Sequence, residues 1–162
     1  MKVVALISGG KDSCYVMLRC AAHGHEVVAL AHIAPPSGTP EPDSHMYQAV
    51  GSAAVPALAT ALHLPLHVRE TCANARVRKL HYAPQQGDEV EDLVLLLRDV
   101  IEAHPQVQAV CAGALWSDYQ RLRVESAAAR VGLMSLAYLW RRDQRELLDE
   151  MIATGLVAVL VK

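Results

Sequence analysis

Six consecutive residues, Ser8, Gly9, Gly10, Lys11, Asp12 and Ser13, have the types and spacing needed to hold a chain of phosphates. They follow an apolar, β-branched run at 3–7 directly and lead into a helical pattern. Glycines let backbone amides approach anionic oxygens, and a helix start adds free N–H groups and the positive end of its dipole. The Ser8 and Ser13 hydroxyls can donate further bonds, and Lys11 supplies a compact positive charge. This is not the Walker A order, which needs a longer loop closing in Gly-Lys-Ser/Thr. A Gly-Gly turn alone would be equally at home as a structural turn; the whole hexapeptide directly after a buried strand points to phosphate.

Other residues could complete such a site. In the run Ser117, Asp118, Tyr119, Gln120, Arg121, the Asp118 carboxylate could hold Mg²⁺ or position a substrate amine, and Arg121 or Arg123 could reach a phosphate. Ser117 and Asp118 would serve equally as helix caps. The acidic start Gly87, Asp88, Glu89, Val90, Glu91, Asp92 reads in two ways. It complements a helix dipole on a solvated face, or it turns Glu89 or Glu91 toward the site to bind Mg²⁺ or substrate. His23 and His25 have metal-like spacing beside a helix end, where a surface turn explains them as well. Arg141, Arg142 and Arg145 read as a solvated helix start.

The elements that must position these residues alternate. Strand patterns at 3–7, 26–32, 64–69, 107–111, 133–136 and 156–161 are separated by helical patterns. The helices run from Lys11 to a stop at Gly24, from Met46 to about Leu62 with an interruption near Pro56, from an Asp88 cap onward, from Ser117 to Gly132, and over 144–153. Residues 34–44, with four prolines, and 70–86 are long irregular connections of the kind that often carry function. Strict alternation predicts an α/β fold, an open parallel sheet with helices on both faces, in a single domain over 1–162. Ligands of such sheets bind beyond the C-terminal ends of the strands. That places the loop 8–13, the strand end carrying His32 and the strand end at Gly113 along one rim.

Composition bounds the partners. The chain of 162 residues is 52% hydrophobic and 20% charged, with a formal net charge of −2 and no run of Lys or Arg. That excludes a general nucleic-acid or anionic-membrane surface. No apolar run reaches the roughly 18 residues of a membrane span. Four cysteines without a Cys-x-x-Cys pair suit a reducing, cytoplasmic compartment and core packing. Cys72 is the one thiol placed in a loop, where sulfur-transfer chemistry would need it.

The hexapeptide resembles the pyrophosphatase (PP) loop of the adenine nucleotide alpha-hydrolase group. The segments 43–51, 87–93, 117–125 and 136–140 are similar, in the same order, to the diphthine–ammonia ligase family. The resemblance implies a three-layer, Rossmann-like fold of the HUP type. It also implies ATP-dependent amidation of diphthine on translation elongation factor 2 by ammonium, releasing AMP and pyrophosphate. ATP with Mg²⁺ would be held by Ser8, Gly9, Gly10, Lys11, Asp12, Ser13, His32 and Gly113, with Asp12 on the metal. Lys11, Asp12 and Asp118 would be catalytic, and Tyr47, Gln48, Glu89, Glu91, Ser117, Tyr119, Gln120 and Arg121 would meet the substrate. The family pattern continues beyond Lys162 into a Glu-Gly-Gly-Glu-Tyr-Glu-like segment, so the expectation is a member shortened at its C-terminus. Loss of turnover would leave a nucleotide-binding module.

Overall fold

The computed structural model describes residues 1–36, 44, 46–47, 50–71 and 74–159. Five strands, β1 (Lys2–Leu6), β2 (Glu26–Ala34), β3 (Leu66–Glu70), β4 (Ala109–Cys111) and β5 (Met134–Leu136), form one sheet. Its order is β3-β2-β1-β4-β5, with every pairing parallel. Strand order reverses between β1 and β4, the switch point at which an open α/β sheet leaves a crevice.

Alternation along the strands divides the core into two layers. Val4, Ala29, Ala31, Ile33 and Val110 face α3 (Glu89–Ala103) and α4 (Asp118–Arg130). Val3, Ala5, Leu30, Ala109 and Cys111 face α1 (Lys11–Ala22), α2 (Val55–Leu62) and α5 (Gln144–Ala153). Both faces of the sheet are therefore covered, and its strands read as continuous apolar runs for that reason. The result is the three-layer, Rossmann-like α/β architecture that the sequence predicts.

Helix boundaries follow local chemistry. Gly24 takes a left-handed φ of 73° directly after His23, the residue that caps the end of α1. Pro56 lies in the first turn of α2 rather than kinking a longer helix, because a first-turn residue needs no N–H donor. The helix expected from Met46 is thereby shortened to α2 and a 3-10 turn at Ser52–Ala54. The strand expected at 156–161 is also corrected. Residues 156–159 are irregular, with Val157 and Val159 almost fully exposed, and 160–161 lie outside the described residues.

Candidate functional site

The C-terminal ends of β1, β2 and β4 open into a cleft of about 380 Å³. Its walls include Ser8, Asp12 and Ser13 from the glycine loop, His32 and Ile33 from β2, and Gly113 and Ser117 beyond β4. Met46, Tyr47 and Gln120 close another side.

The loop is shaped by backbone pressing on backbone. Gly9 has φ 82°, and a Cβ there would stand 2.2 Å from the Gly51 carbonyl oxygen. On the other flank, a Cβ on Gly113 would stand 2.9–3.0 Å from the backbone of Asp12 and Ser13. The loop is thus seated between Gly51 and Gly113, and neither Gly9 nor Gly113 has room for a Cβ. Ser13 Oγ donates to the Gly10 carbonyl at 2.8 Å and accepts from the Ser8 amide at 3.2 Å, fixing the curl. Gly10 precedes α1, and among the described residues no side chain caps the first-turn amides of that helix. Lys11 Nζ lies 3.0 Å from Asp12 Oδ1. Ser8, Asp12 and Ser13 stand on the cleft wall, whereas Lys11 does not line it and is held against Asp12. Loop amides, hydroxyls and this neighbouring cation are the kinds of group a phosphate needs.

The other predicted residues fall into two groups. Ser8, Asp12, Ser13, His32, Tyr47, Gly113, Ser117 and Gln120 line the cleft together. Ser117 also caps α4, accepting from the Gln120 amide at 3.2 Å. Tyr47 meets the cleft while its hydroxyl reaches the Glu89 carbonyl at 3.4 Å. Burial, followed by the charges of Glu89, Asp92 and Asp88, holds its phenol well above the usual tyrosine range. His32 is buried, with Nδ1 2.7 Å from the Ile7 carbonyl and Nε2 2.7 Å from Ser52 Oγ. Burial depresses its pKa below the usual 6.5.

The second group stands back from the cleft. Glu89 is wholly buried, and its carboxylate accepts from Ser44 at 2.6 Å. Glu91 accepts from Tyr82 at 2.7 Å and pairs with both terminal nitrogens of Arg130. Asp118 faces Arg121 at 3.5 Å and Arg141 at 3.6 Å, and Arg121 is held by Glu125 at 2.6 Å over the Trp140 ring. Arg123, expected near a phosphate, is fully buried against the Tyr119 ring and donates to the carbonyls of Tyr119, Val77 and Lys79. Its charge ties the irregular segment after β3 to α4. His23 stacks on Tyr138 at 4.2 Å, and His25 bonds the Tyr138 hydroxyl at 2.7 Å. Among the described residues no group of three or more His, Cys, Asp or Glu is arranged to hold a metal. Gln48 and Cys72 lie outside the described residues.

Some lining residues carry no sequence signal of their own. Met46, Leu93 and Val124 read as helix core, and Gln144 reads as one polar residue at a helix start. Gly51 fell inside the helix expected from Met46 and at the end of the family-like segment 43–51, although it forms one flank of the loop. No helix is long and apolar enough to cross a membrane, among the described residues.

Comparison with known proteins shows the family. The sequence pattern described as the diphthamide synthase N-terminal domain matches residues 1–135. A diphthine–ammonia ligase of Danio rerio is 52% identical over 164 residues, covering all of this chain and 64% of that protein. The Homo sapiens diphthine–ammonia ligase is 46% identical with 61% of its length covered, and that of Schizosaccharomyces pombe is 46% identical with 27% covered. The chain thus spans less than two thirds of the length of these relatives. A match over most of the chain places it in the diphthamide synthase N-terminal domain family.

Proposed function

We propose that the chain binds ATP with its phosphates on residues 8–13 and uses it to activate the carboxylate of diphthine on elongation factor 2. The observation that carries this reading is the uncapped start of α1 beside Ser8 and Ser13, at the wall of the cleft. The names of the relatives supply the substrate.

A carboxylate does not react with ammonia until one of its oxygens becomes part of a good leaving group. In the proposed sequence that oxygen attacks the α-phosphorus of ATP and pyrophosphate departs. Ammonia then attacks the acyl carbon, AMP leaves with the transferred oxygen, and the surplus proton passes to solvent. The protein needs no nucleophile of its own. Its task is to stabilise charge on the departing pyrophosphate, for which the α1 amides, Ser8, Ser13 and Lys11 are suited. Mg²⁺ typically uses one or two carboxylates together with substrate phosphates. Asp12 would be its protein ligand, and the ion would neutralise phosphate charge. The apolar surface of Ile33, Met46 and Leu93 suits adenine. Tyr47, Ser117 and Gln120 would meet the acceptor, with Asp118 and Arg121 behind them.

The test is release of AMP and pyrophosphate from ATP in the presence of ammonium and diphthine-bearing elongation factor 2, with Lys11→Ala as control. Release dependent on both co-substrates, reduced roughly 100-fold or more in Lys11→Ala, is expected. ATP binding without pyrophosphate would instead describe a nucleotide-binding module. Normal ATP binding by Lys11→Ala would remove the phosphate assignment.

A further inference from the structure

We propose that His32 is a positioning residue: its ring locks the root of the phosphate loop to the Gly51–Ser52 turn and so fixes the height of the loop. The proposal rests on the reading of residues 8–13 as the site of the ATP phosphates.

The bond directions follow from the partners. A carbonyl oxygen only accepts, so Nδ1, 2.7 Å from the Ile7 carbonyl, carries the proton. A neutral imidazole has one N–H, and burial favours that neutral form. Nε2 is therefore an acceptor, and the Ser52 hydroxyl 2.7 Å away donates to it. Both ring nitrogens are thus committed within the protein. Toward the cleft His32 offers ring surface and no hydrogen bond.

Those two bonds join points that matter for the loop. Ile7 is the residue immediately before Ser8, and Ser52 is the residue immediately after Gly51. Gly51, at φ 90°, sits against Gly9, where a Cβ would meet its carbonyl oxygen at 2.2 Å. A closed circuit results: Ile7 to His32, His32 to Ser52, Gly51 to Gly9, and Gly9 back along the chain to Ile7. If the Ser52 bond is removed, the Gly51 turn can drift and the Gly9–Gly10 peptide loses its backing. A phosphate held by backbone amides feels such a shift directly, because their geometry is the binding site.

The experiment measures the affinities of Mg·ATP and of adenosine by calorimetry on the full chain. The proteins are the wild type, Lys11→Ala, Ser52→Ala, His32→Asn, His32→Phe and the double variant Ser52→Ala/His32→Phe. An asparagine amide nitrogen sits close to where Nδ1 does, so His32→Asn keeps the Ile7 bond and loses the Ser52 bond. His32→Asn and Ser52→Ala should each weaken ATP by about fivefold, the worth of one hydrogen bond. His32→Phe should weaken it by roughly 20-fold or more, and adding Ser52→Ala to it should change little further. Adenosine affinity should stay the same in Ser52→Ala, whose side chain does not line the cleft, whereas general loosening of the fold would lower both ligands together. ¹⁵N spectra of the histidine rings should show the proton of His32 on Nδ1. Unchanged ATP affinity in Ser52→Ala, additive losses in the double variant, or a proton on Nε2 would overturn the clamp. Normal ATP binding by Lys11→Ala would overturn the phosphate reading itself, and the tautomer measurement would still decide the His32 geometry.

Discussion

Two helix starts in this molecule meet the same physical problem and resolve it oppositely. Every helix leaves its first amides without intrahelical partners. At α3 the protein satisfies them itself. Asp88 is fully buried, with one carboxylate oxygen accepting from Val90 at 3.0 Å and the other from the Val77 amide at 2.9 Å. The Glu89 amide donates to the Asn74 carbonyl at 3.0 Å. The starts of α4 and α5 are closed likewise, by Ser117 and Asp143. At α1 the preceding residue is Gly10, which has no side chain to offer, and among the described residues no side chain accepts from a first-turn amide. A cap is worth about 1 kcal/mol to a helix. Helix α2 also lacks a side-chain cap, so what supports the proposed phosphate site at α1 is the open end together with its place beside the cleft. The contrast separates two uses of acidic and polar clusters: the start of α3 is architecture, and the start of α1 is the proposed site.

The sharpest way to break that contrast is to crowd the open end. Gly9→Ala puts a Cβ 2.2 Å from the Gly51 carbonyl at a left-handed φ, so the loop must leave its seat. ATP affinity measured by calorimetry should fall by at least about 100-fold. A Kd within a few-fold of wild type would mean that the loop geometry does not set binding. Next in size is the closed end. Asp88→Ala leaves the buried Val77 amide without its acceptor and α3 without its cap. Urea unfolding should show a loss of about 2–4 kcal/mol, while ATP affinity of the folded protein stays within about twofold. Asp88→Asn, keeping one acceptor oxygen, should recover part of it. A large loss of ATP affinity at unchanged stability would transfer the start of α3 to the site.

A third substitution converts one kind of end into the other. Gly10 has φ −86° and ψ 157°, open to any residue, and a Cβ there would meet only Ser8 Oγ, at 3.4 Å. Gly10→Asp should supply the missing cap and raise stability by a few tenths of a kcal/mol. The same carboxylate would repel phosphate and weaken ATP by about tenfold. Stability and affinity moving in opposite directions is the signature of an end left open for a ligand. If ATP affinity were unmoved, the phosphates would have to lie elsewhere in the cleft.

The contrast was only half legible in the sequence. The loop 8–13 stood out because residues close in sequence build it, and each residue type has a single plausible purpose there. The strands and the parallel sheet were legible for a similar reason: burial on both faces leaves uninterrupted apolar runs. Asp88 was legible as a cap, but the burial of Glu89 was not. A carboxylate is expected in water, and what hides this one is Ser44 and Tyr47, far away in sequence. Glu91 points to Arg130 for an equally non-local reason. His32 was foreseen at the rim, since β2 ends there, while the commitment of both its nitrogens depended on where the Ser52 turn would fall. The strand expected at 156–161 shows the converse error. Its continuous apolar run is real, yet residues 156–159 join no neighbour in the sheet.

The smallest expected effect tests whether the acidic residues after Asp88 belong wholly to architecture. Arg130 grips both oxygens of Glu91 at 2.7 and 2.8 Å, and that bond is the main reason its carboxyl is held below the usual glutamate value of 4.5. A carboxylate whose folded pKa is depressed contributes its stability above the unfolded value and loses it as pH falls through the folded one. Arg130→Ala should therefore cost up to about 1 kcal/mol at neutral pH, in the range of partly exposed ion pairs. The difference from wild type should shrink as pH drops below 4.5, where Glu91 takes up its proton in both proteins. High salt at neutral pH should shrink it too. Urea titrations across that pH range make the measurement, with ATP affinity followed alongside and expected to stay flat. A loss that persisted in acid would come from packing of the arginine stem. A change in ATP affinity would mean that Glu91, which stands behind the cleft, reaches the ligand through α3.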